Sequence, residues 1–488
     1  MDPAEDDQTP TPTKRRGLRI ALWALGVVAV LVLGLAWVVY SSIGRTLQAP
    51  PWLHTQLQSR LTQMVPDADV RFGAITLVVE SNGRPRISLR DVEFAQPGGP
   101  VVLAVSDLEA GFAPGPLLQG KMRLGRVRVS GAEILVRQRK DGSFDLAFGA
   151  SLPEVEQAAS LSEIIGELDD LLLSDELIEL DQIEADALIV RYEDLRAGRA
   201  WTIDGGRLRL ERGEETLQIS GDLALLGGYD YVTTVALSFE SEIGSNAAQF
   251  GMNFEDMAAQ DIAVQSAAVA WLDVLRAPIS GALRGSVDEI GAFGPISGTL
   301  QIAEGVVQPT PETKPVPFKS ARSYFTFEPN TQTLQFDELS VVSKWITGRA
   351  EGKAVLQGAP GSTPEAFLGQ FTVQDLTAAP EGVMDIDVTL DRAQMSFRMG
   401  LDPFTLTVGE LVLEERGQLI NVSGEAVADP EGWRLSAKAQ SAALDPEVVL
   451  DLWPEDLKPK TRLWVSENVH AISLTNAQLA YRNSPGQE

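Results

Sequence analysis

Side-chain catalysis needs a base, a nucleophile or a bound metal, and this 488-residue chain is poor in all three. Its only imidazoles are His54 and His470, and it contains no cysteine. Two histidines far apart in sequence, with no HExxH and no third ligand, do not compose a zinc set. The lack of cysteine removes thiolate sites, a Cys nucleophile and a disulfide scaffold together. No Gly-x-Ser-x-Gly elbow, phosphate-cradling Gly-rich loop or dinucleotide fingerprint occurs. Carboxylate pairs such as Asp385/Asp387 and Asp169/Asp170 sit where a strand's polar face and a helix's wet face would place them, and solvation explains both. No catalytic residue, metal or cofactor is expected, and the chain does not read as an enzyme.

What the residues offer instead is apolar surface. Residues 123–129, 207–210, 217–220, 384–390, 395–399 and 435–439 alternate apolar and polar side chains, as strands with one apolar face do. In two of these runs the assignment is sharp: Ile386, Val388 and Leu390, and then Met395, Phe397 and Met399, must share a face. Helices are too few to cover so many strands. The face therefore needs a second sheet, a curl of the sheet upon itself, or an apolar ligand. The six residues are the candidate lining of an apolar groove. Roughly 30 strands at about 4.8 Å spacing would extend about 140 Å. Alternation by itself does not choose between that groove and a string of closed sandwiches.

Stepping outward, one uncharged apolar run at residues 20–40 follows Lys14, Arg15, Arg16 and Arg19. As a helix it measures roughly 32 Å, enough to cross a hydrocarbon core. Trp23 near one end, and Trp37 and Tyr40 near the other, suit the headgroup layers. Basic residues ahead of a span stay inside, so residues 1–17 are expected to be a disordered cytoplasmic tail and residues 18–40 a transmembrane signal anchor. Everything after about Ser41 is then translocated. A cleaved signal peptide is the rival reading, but Trp37-Val38-Val39-Tyr40 offers no small-x-small site. Residues 41–66 hold Leu53, Leu57, Leu61 and Met64 at helical spacing between Pro50-Pro51 and Pro66, a juxtamembrane amphipathic helix. Residues 67–488 form a repetitive β region. The formal charge of −28 repels nucleic acid, which is not expected as a partner. With 44% hydrophobic residues, the body is too apolar for a disordered acidic tail.

Turn chemistry punctuates the strands at Asn82-Gly83, Asp141-Gly142, Asp204-Gly205-Gly206, Pro329-Asn330 and Pro430-Glu431-Gly432. Helices are expected at 160–173, where Ser160-x-x-Glu163 has capping-box form, at 261–275, and in short pieces within 446–468. The proline-rich stretch 308–317 must be a loop or an edge segment. An internal repeat links 129–137 with 183–191, each followed, after a glycine, by an aromatic-polar-apolar strand at Phe144 or Trp201. A third copy occupies 474–482, where the chain stops before a partner strand.

The basic tail and single anchor lead into Leu117-Leu118-Gln119-Gly120-Lys121-Met122-Arg123-Leu124, then 127–137 and Asp141-Gly142-Ser143-Phe144-Asp145-Leu146. This pattern resembles the amino-terminal part of the AsmA-like proteins of Gram-negative envelopes. The run Leu452-Trp453-Pro454-Glu455, Leu457, Pro459, Arg462, Trp464-Val465, Glu467-Asn468-Val469 is similar to a motif of the YhdP-type branch. The resemblance implies an elongated, curled antiparallel β-sheet anchored in the inner membrane, with its bulk in the periplasm. It implies a bridge-like protein that carries phospholipid acyl chains toward the outer membrane, with outer-membrane or periplasmic proteins as further partners. Relatives of this type are longer, so the chain reads as a short form or as the front of a larger protein. An envelope scaffold with closed β-sandwiches and no lipid groove is the alternative.

Overall fold

The computed structural model describes residues 46–48, 54, 58, 69–79, 85–95, 101–113, 115–116, 119, 121, 123–139, 144–148, 172–174, 177–195, 198–226, 232–344, 346–358, 364–378, 388–390, 392–451, 453, 458–469 and 473–485. The tail and signal anchor expected at 1–40 lie outside these residues, as do nearly all of the juxtamembrane helix and the capping-box helix. Among the described residues no helix is long and apolar enough to cross a membrane. The chain is mostly β, and its residues fall into two units.

The first unit holds the described residues up to Ala132 together with Ser174–Ile183. Its strands are β1 (Thr46–Gln48), β2 (Asp69–Arg71), β3 (Ile75–Val79), β4 (Pro85–Ala95), β5 (Val101–Phe112) and β6 (Leu124–Ser130). Within the unit they pair antiparallel: β1 with β3, β4 with β2, β3 and β5, and β5 with β6. Strand alternation buries Ile87 and Leu89, while Arg86 and Ser88 turn the other way and bond Glu109 and Asp107.

The second unit begins with β7 (Glu133–Gln138), β8 (Phe144–Phe148) and, from Glu184 on, β9 (Gln182–Asp194). Next come β10 (Arg199–Arg212), β11 (Thr216–Leu226), β12 (Thr233–Glu242) and β13 (Ala248–Ala258). Helix α1 (Ala259–Ala263), a 3-10 segment η1 (Ala267–Val274) and β14 (Leu275–Arg276) interrupt the strands. They resume as β15 (Pro278–Val287), β16 (Ile296–Ile302), β17 (Gly305–Val307), β18 (Val316–Phe318) and β19 (Ser320–Glu328). Then follow β20 (Thr333–Val342), β21 (Ile346–Gln357), β22 (Ala366–Ala378), β23 (Val388–Leu390) and β24 (Arg392–Leu401). The unit closes with β25 (Phe404–Glu415), β26 (Gln418–Asp429), β27 (Gly432–Leu444), α2 (Pro446–Asp451), α3 (Pro459–Asn468) and β28 (Leu474–Asn483).

From β10 onward each long strand pairs antiparallel with the next long strand, through to β28. β14, β17 and β18 form a small sheet of their own, so the proline-rich stretch is a loop that ends in a short strand. The expectation of a wholly antiparallel sheet is corrected at β7. β7 pairs antiparallel with β8 but parallel with β9, because the connection from β8 returns the chain to β7's direction on its other side. Arg137 stands opposite Glu193 in that parallel pair and is bonded to it at 2.9 Å.

Two further expectations are corrected. Asp204-Gly205-Gly206 is no turn: it lies within β10 as a bulge, with Gly205 at φ +70° and the register shifting between Ile203 and Arg207. The helix expected over 261–275 is two pieces, because Ser266 is extended and its Oγ accepts from the Ala268 N–H to start η1. The Pro329-Asn330 and Pro430-Glu431-Gly432 turns do connect hairpins, and helices α2 and α3 fall within 446–468. The turns at Asn82-Gly83 and Asp141-Gly142 lie outside the described residues. The repeat is structurally uneven. Gly131 at φ +70° ends β6 in the first copy, and Asn476 at the matching position of the third takes φ +54° without ending β28.

Candidate functional site

The feature that dominates the second unit is a continuous apolar face built by cross-strand register. One row runs Leu223, Val235, Phe254, Gly281 and Leu300 across β11, β12, β13, β15 and β16. Another runs Gly298, Phe325, Phe336, Gly352, Phe371, Met395, Leu411, Val422 and Ala439, from β16 to β27. Strand after strand, most residues facing this side are apolar or glycine, with Ser241, Ser323, Ser441 and Glu415 among the exceptions, and most of their sequence neighbours on the other face are polar.

Bulges keep the face continuous. Phe254 and Met257 are three residues apart, as are Phe336 and Leu339, Val373 and Leu376, and Val408 and Leu411; strict alternation would put each pair on opposite faces. A register shift lies within every one of these intervals. Two are made by aspartates in the left-handed region, Asp256 at φ +53° and Asp375 at φ +52°. Aspartate tolerates that conformation better than most residues. Phe254 and Met257 accordingly belong to one hydrophobic cluster, and Val373 packs with Leu376 in another.

Aromatic rings on this face lie over glycines of the neighbouring strand. Phe250 stands opposite Gly285, Phe254 opposite Gly281, Phe325 opposite Gly298, Phe371 opposite Gly352, and Phe397 opposite Gly369. A Cβ at Gly369 would lie 2.3 Å from the Phe397 ring. The rings also meet one another: Phe336 and Phe371 have centroids 5.4 Å apart, and Phe371 stacks on Phe397 at 5.6 Å.

Part of the face is covered. Ile262, Val269, Leu272 and Val274 from α1 and η1 join Phe254, Ile279, Leu300 and Phe336 in one cluster, and Trp271 meets Phe336 edge-on at 6.3 Å. Within this zone Phe254 is 2% exposed and Leu300 fully buried. Elsewhere the same face is open. Leu208 and Leu237, which flank Gly221 in register, are each 37% exposed, and Leu479 on β28 is 67% exposed. Ser241 Oγ, Trp271 Nε1 and Ser323 Oγ are among the buried polar atoms without hydrogen-bond partners in the described residues.

Of the six residues singled out by alternation, Met395, Phe397 and Met399 are half-buried on this face. They stand opposite Phe371, Gly369 and Phe367 on one side and Leu411, Val408 and Leu406 on the other. Backbone pairing puts Leu390 opposite Leu376 and Val388 opposite Ala378. Ile386 lies outside the described residues. The glycine–aromatic pairs were missed in the sequence, although each sits on an alternating run and a search for Phe and Gly one strand apart would have found them.

His54 packs against Phe72, their ring centroids 4.5 Å apart, and His470 lies outside the described residues. Tryptophans serve mostly as packing anchors. Trp201 is buried and stacks on Tyr192, and Trp433 meets Phe404 and donates from Nε1 to the Lys314 carbonyl at 2.8 Å. Trp464 departs from this and is largely exposed. No group of three His, Asp or Glu among the described residues is placed to hold a metal. The chain matches no family model, no curated protein and no solved structure in the comparisons with known proteins.

Proposed function

We propose that this protein is an AsmA-like, YhdP-type carrier that holds phospholipid acyl chains on the apolar face of its second unit. It is anchored in the inner membrane by residues 18–40, with its bulk in the periplasm, and passes lipid toward the outer membrane. The observation that carries this reading is the mostly apolar face sustained in register from β10 to β28 and exposed in part at Leu208, Leu237 and Leu479. Apolar side chains left exposed along such a face mark a surface that binds something apolar. Hydrocarbon chains need no directed polar partners, which fits a face made mostly of apolar side chains and glycine.

The test is photocrosslinking in living envelopes from Leu237, Phe397 and Leu479, compared with Ala236, Arg398 and Gln478 on the opposite face. Lipid adducts confined to the first set are expected. Equal yields from both sets, or none from the apolar set, remove the carrier reading. The second reading, an envelope scaffold whose apolar face is closed by protein, draws on the burial of Phe254, Leu300 and Leu334 beside α1 and η1. It is the outcome left standing if no lipid is found.

A further inference from the structure

The first unit carries a polar hollow that the apolar face does not explain. Register across β4, β5 and β6 aligns Arg86 with Gly111 and Arg126, and Ser88 with Glu109 and Arg128. Gly111 has no side chain to stand between its two arginine neighbours. A hollow of about 290 Å³ opens there, lined among others by Arg86, Glu109, Arg126, Glu179 and Asp181. That is near the lower limit for a ligand pocket, suited to a compact polar group and too small for an acyl chain.

Its charges are unevenly satisfied. Glu109 is bonded by Arg86 Nη1 at 2.8 Å, and Glu179 lies 3.6 Å from Arg123 Nη1. Arg86 Nε is buried with no hydrogen-bond partner. The Arg126 guanidinium and the Asp181 carboxylate make no hydrogen bond or ion pair among the described residues. Asp181 is held in place through its backbone, whose N–H donates to the Gly125 carbonyl at 2.9 Å. Arginine's planar fork matches a phosphate's paired oxygens. The carboxylate of Asp181 is suited to an ammonium. A chain of net charge −28 also repels a purely anionic ligand but not a neutral zwitterion.

We propose that this hollow binds a phosphate ester bearing a primary amine, of the phosphoethanolamine class, with the phosphate on Arg86 and Arg126 and the ammonium on Asp181. The inference rests on the lipid-carrier reading and deepens it by naming the headgroup the carrier selects.

The experiment uses the full chain in amphipol, titrated by calorimetry with dihexanoyl-phosphatidylethanolamine, dihexanoyl-phosphatidylglycerol, phosphoethanolamine and inorganic phosphate. The ethanolamine lipid is expected to bind at least tenfold more tightly than the glycerol lipid. Arg126→Gln, at an exposed site on β6, should weaken the ethanolamine lipid at least tenfold while leaving the circular dichroism unchanged. Asp181→Asn should abolish the preference between the two lipids and leave the glycerol lipid's affinity as it was. Equal binding of both lipids by the unaltered protein, or wild-type affinity in Arg126→Gln, overturns the proposal. Phosphoethanolamine binding as tightly as its lipid overturns the lipid source and assigns the hollow to a soluble ester. Inorganic phosphate matching phosphoethanolamine, with Asp181→Asn silent, overturns the role of the amine. Crosslinking at Phe397 separates the two readings: adducts there without headgroup selection overturn this inference alone, and their absence overturns the carrier.

Discussion

Phe397 shows how single residues set the character of the apolar face. It is half-buried, stacked on Phe371, and lies over a position where any side chain would collide with it. Gly369→Ala should therefore destabilise the chain by about 1–3 kcal/mol, the ordinary cost of overpacking. Phe371→Ala removes a ring that is 6% exposed and should cost about 3–5 kcal/mol. Phe397→Glu would set a carboxylate against Phe371 and Val408, whereas Gln394→Glu on the exposed opposite face should change stability by no more than about 0.5 kcal/mol. Chemical denaturation of the full chain, followed by tryptophan fluorescence, checks all four. A Gly369→Ala protein as stable as wild type would mean that the ring moves aside at no cost.

Among the elements, α1 and η1 decide how much of the face is covered. They join the sheet through apolar contacts and through the buried Asp261, which pairs with Arg199 on β10. A hydrogen bond to a charged partner is worth about 2 kcal/mol, so Asp261→Ala should loosen this cover by about that amount. Ser266→Ala removes the η1 cap and should cost about 1 kcal/mol. Hydrogen exchange is the appropriate measurement. Both substitutions should speed exchange over 259–274 first, with β20 to β22 protected longer; uniform acceleration of the whole unit would show that the cover is not a separable element. The bulges at Asp256 and Asp375 belong to this scale too, because each lets apolar residues three apart share one face.

For the molecule as a whole, the proposed carrier needs its strands on the far side of the inner membrane. A phosphatase that is active only outside the cytoplasm, fused after Glu488, should be active in intact cells. The same fusion lacking residues 1–40 should be inactive. Activity of the truncated fusion, or inactivity of the full one, would contradict an export signal within residues 18–40.

Much of this protein was written locally. Alternation in 395–399 and 435–439, glycine and proline at the hairpin turns, the scarcity of imidazole and the lack of thiol each depend only on near neighbours or on composition. They were enough to foresee a mostly β chain with helices in few places, and to place Met395, Phe397 and Met399 on one face. Only the tertiary structure decided which strand lies beside which. The parallel pairing of β7 with β9, the covering of Leu300 by α1 and η1, and the meeting of Phe397 with Gly369 all join residues distant along the chain. Period-two reasoning also fails wherever a bulge resets the phase, as it does inside β10 at Gly205 and inside β22 at Asp375, because one extra residue turns every later side chain to the other face. The arginines around Gly111 were visible as an alternating strand, but the hollow between them exists only because β4, β5 and β6 pair in this register.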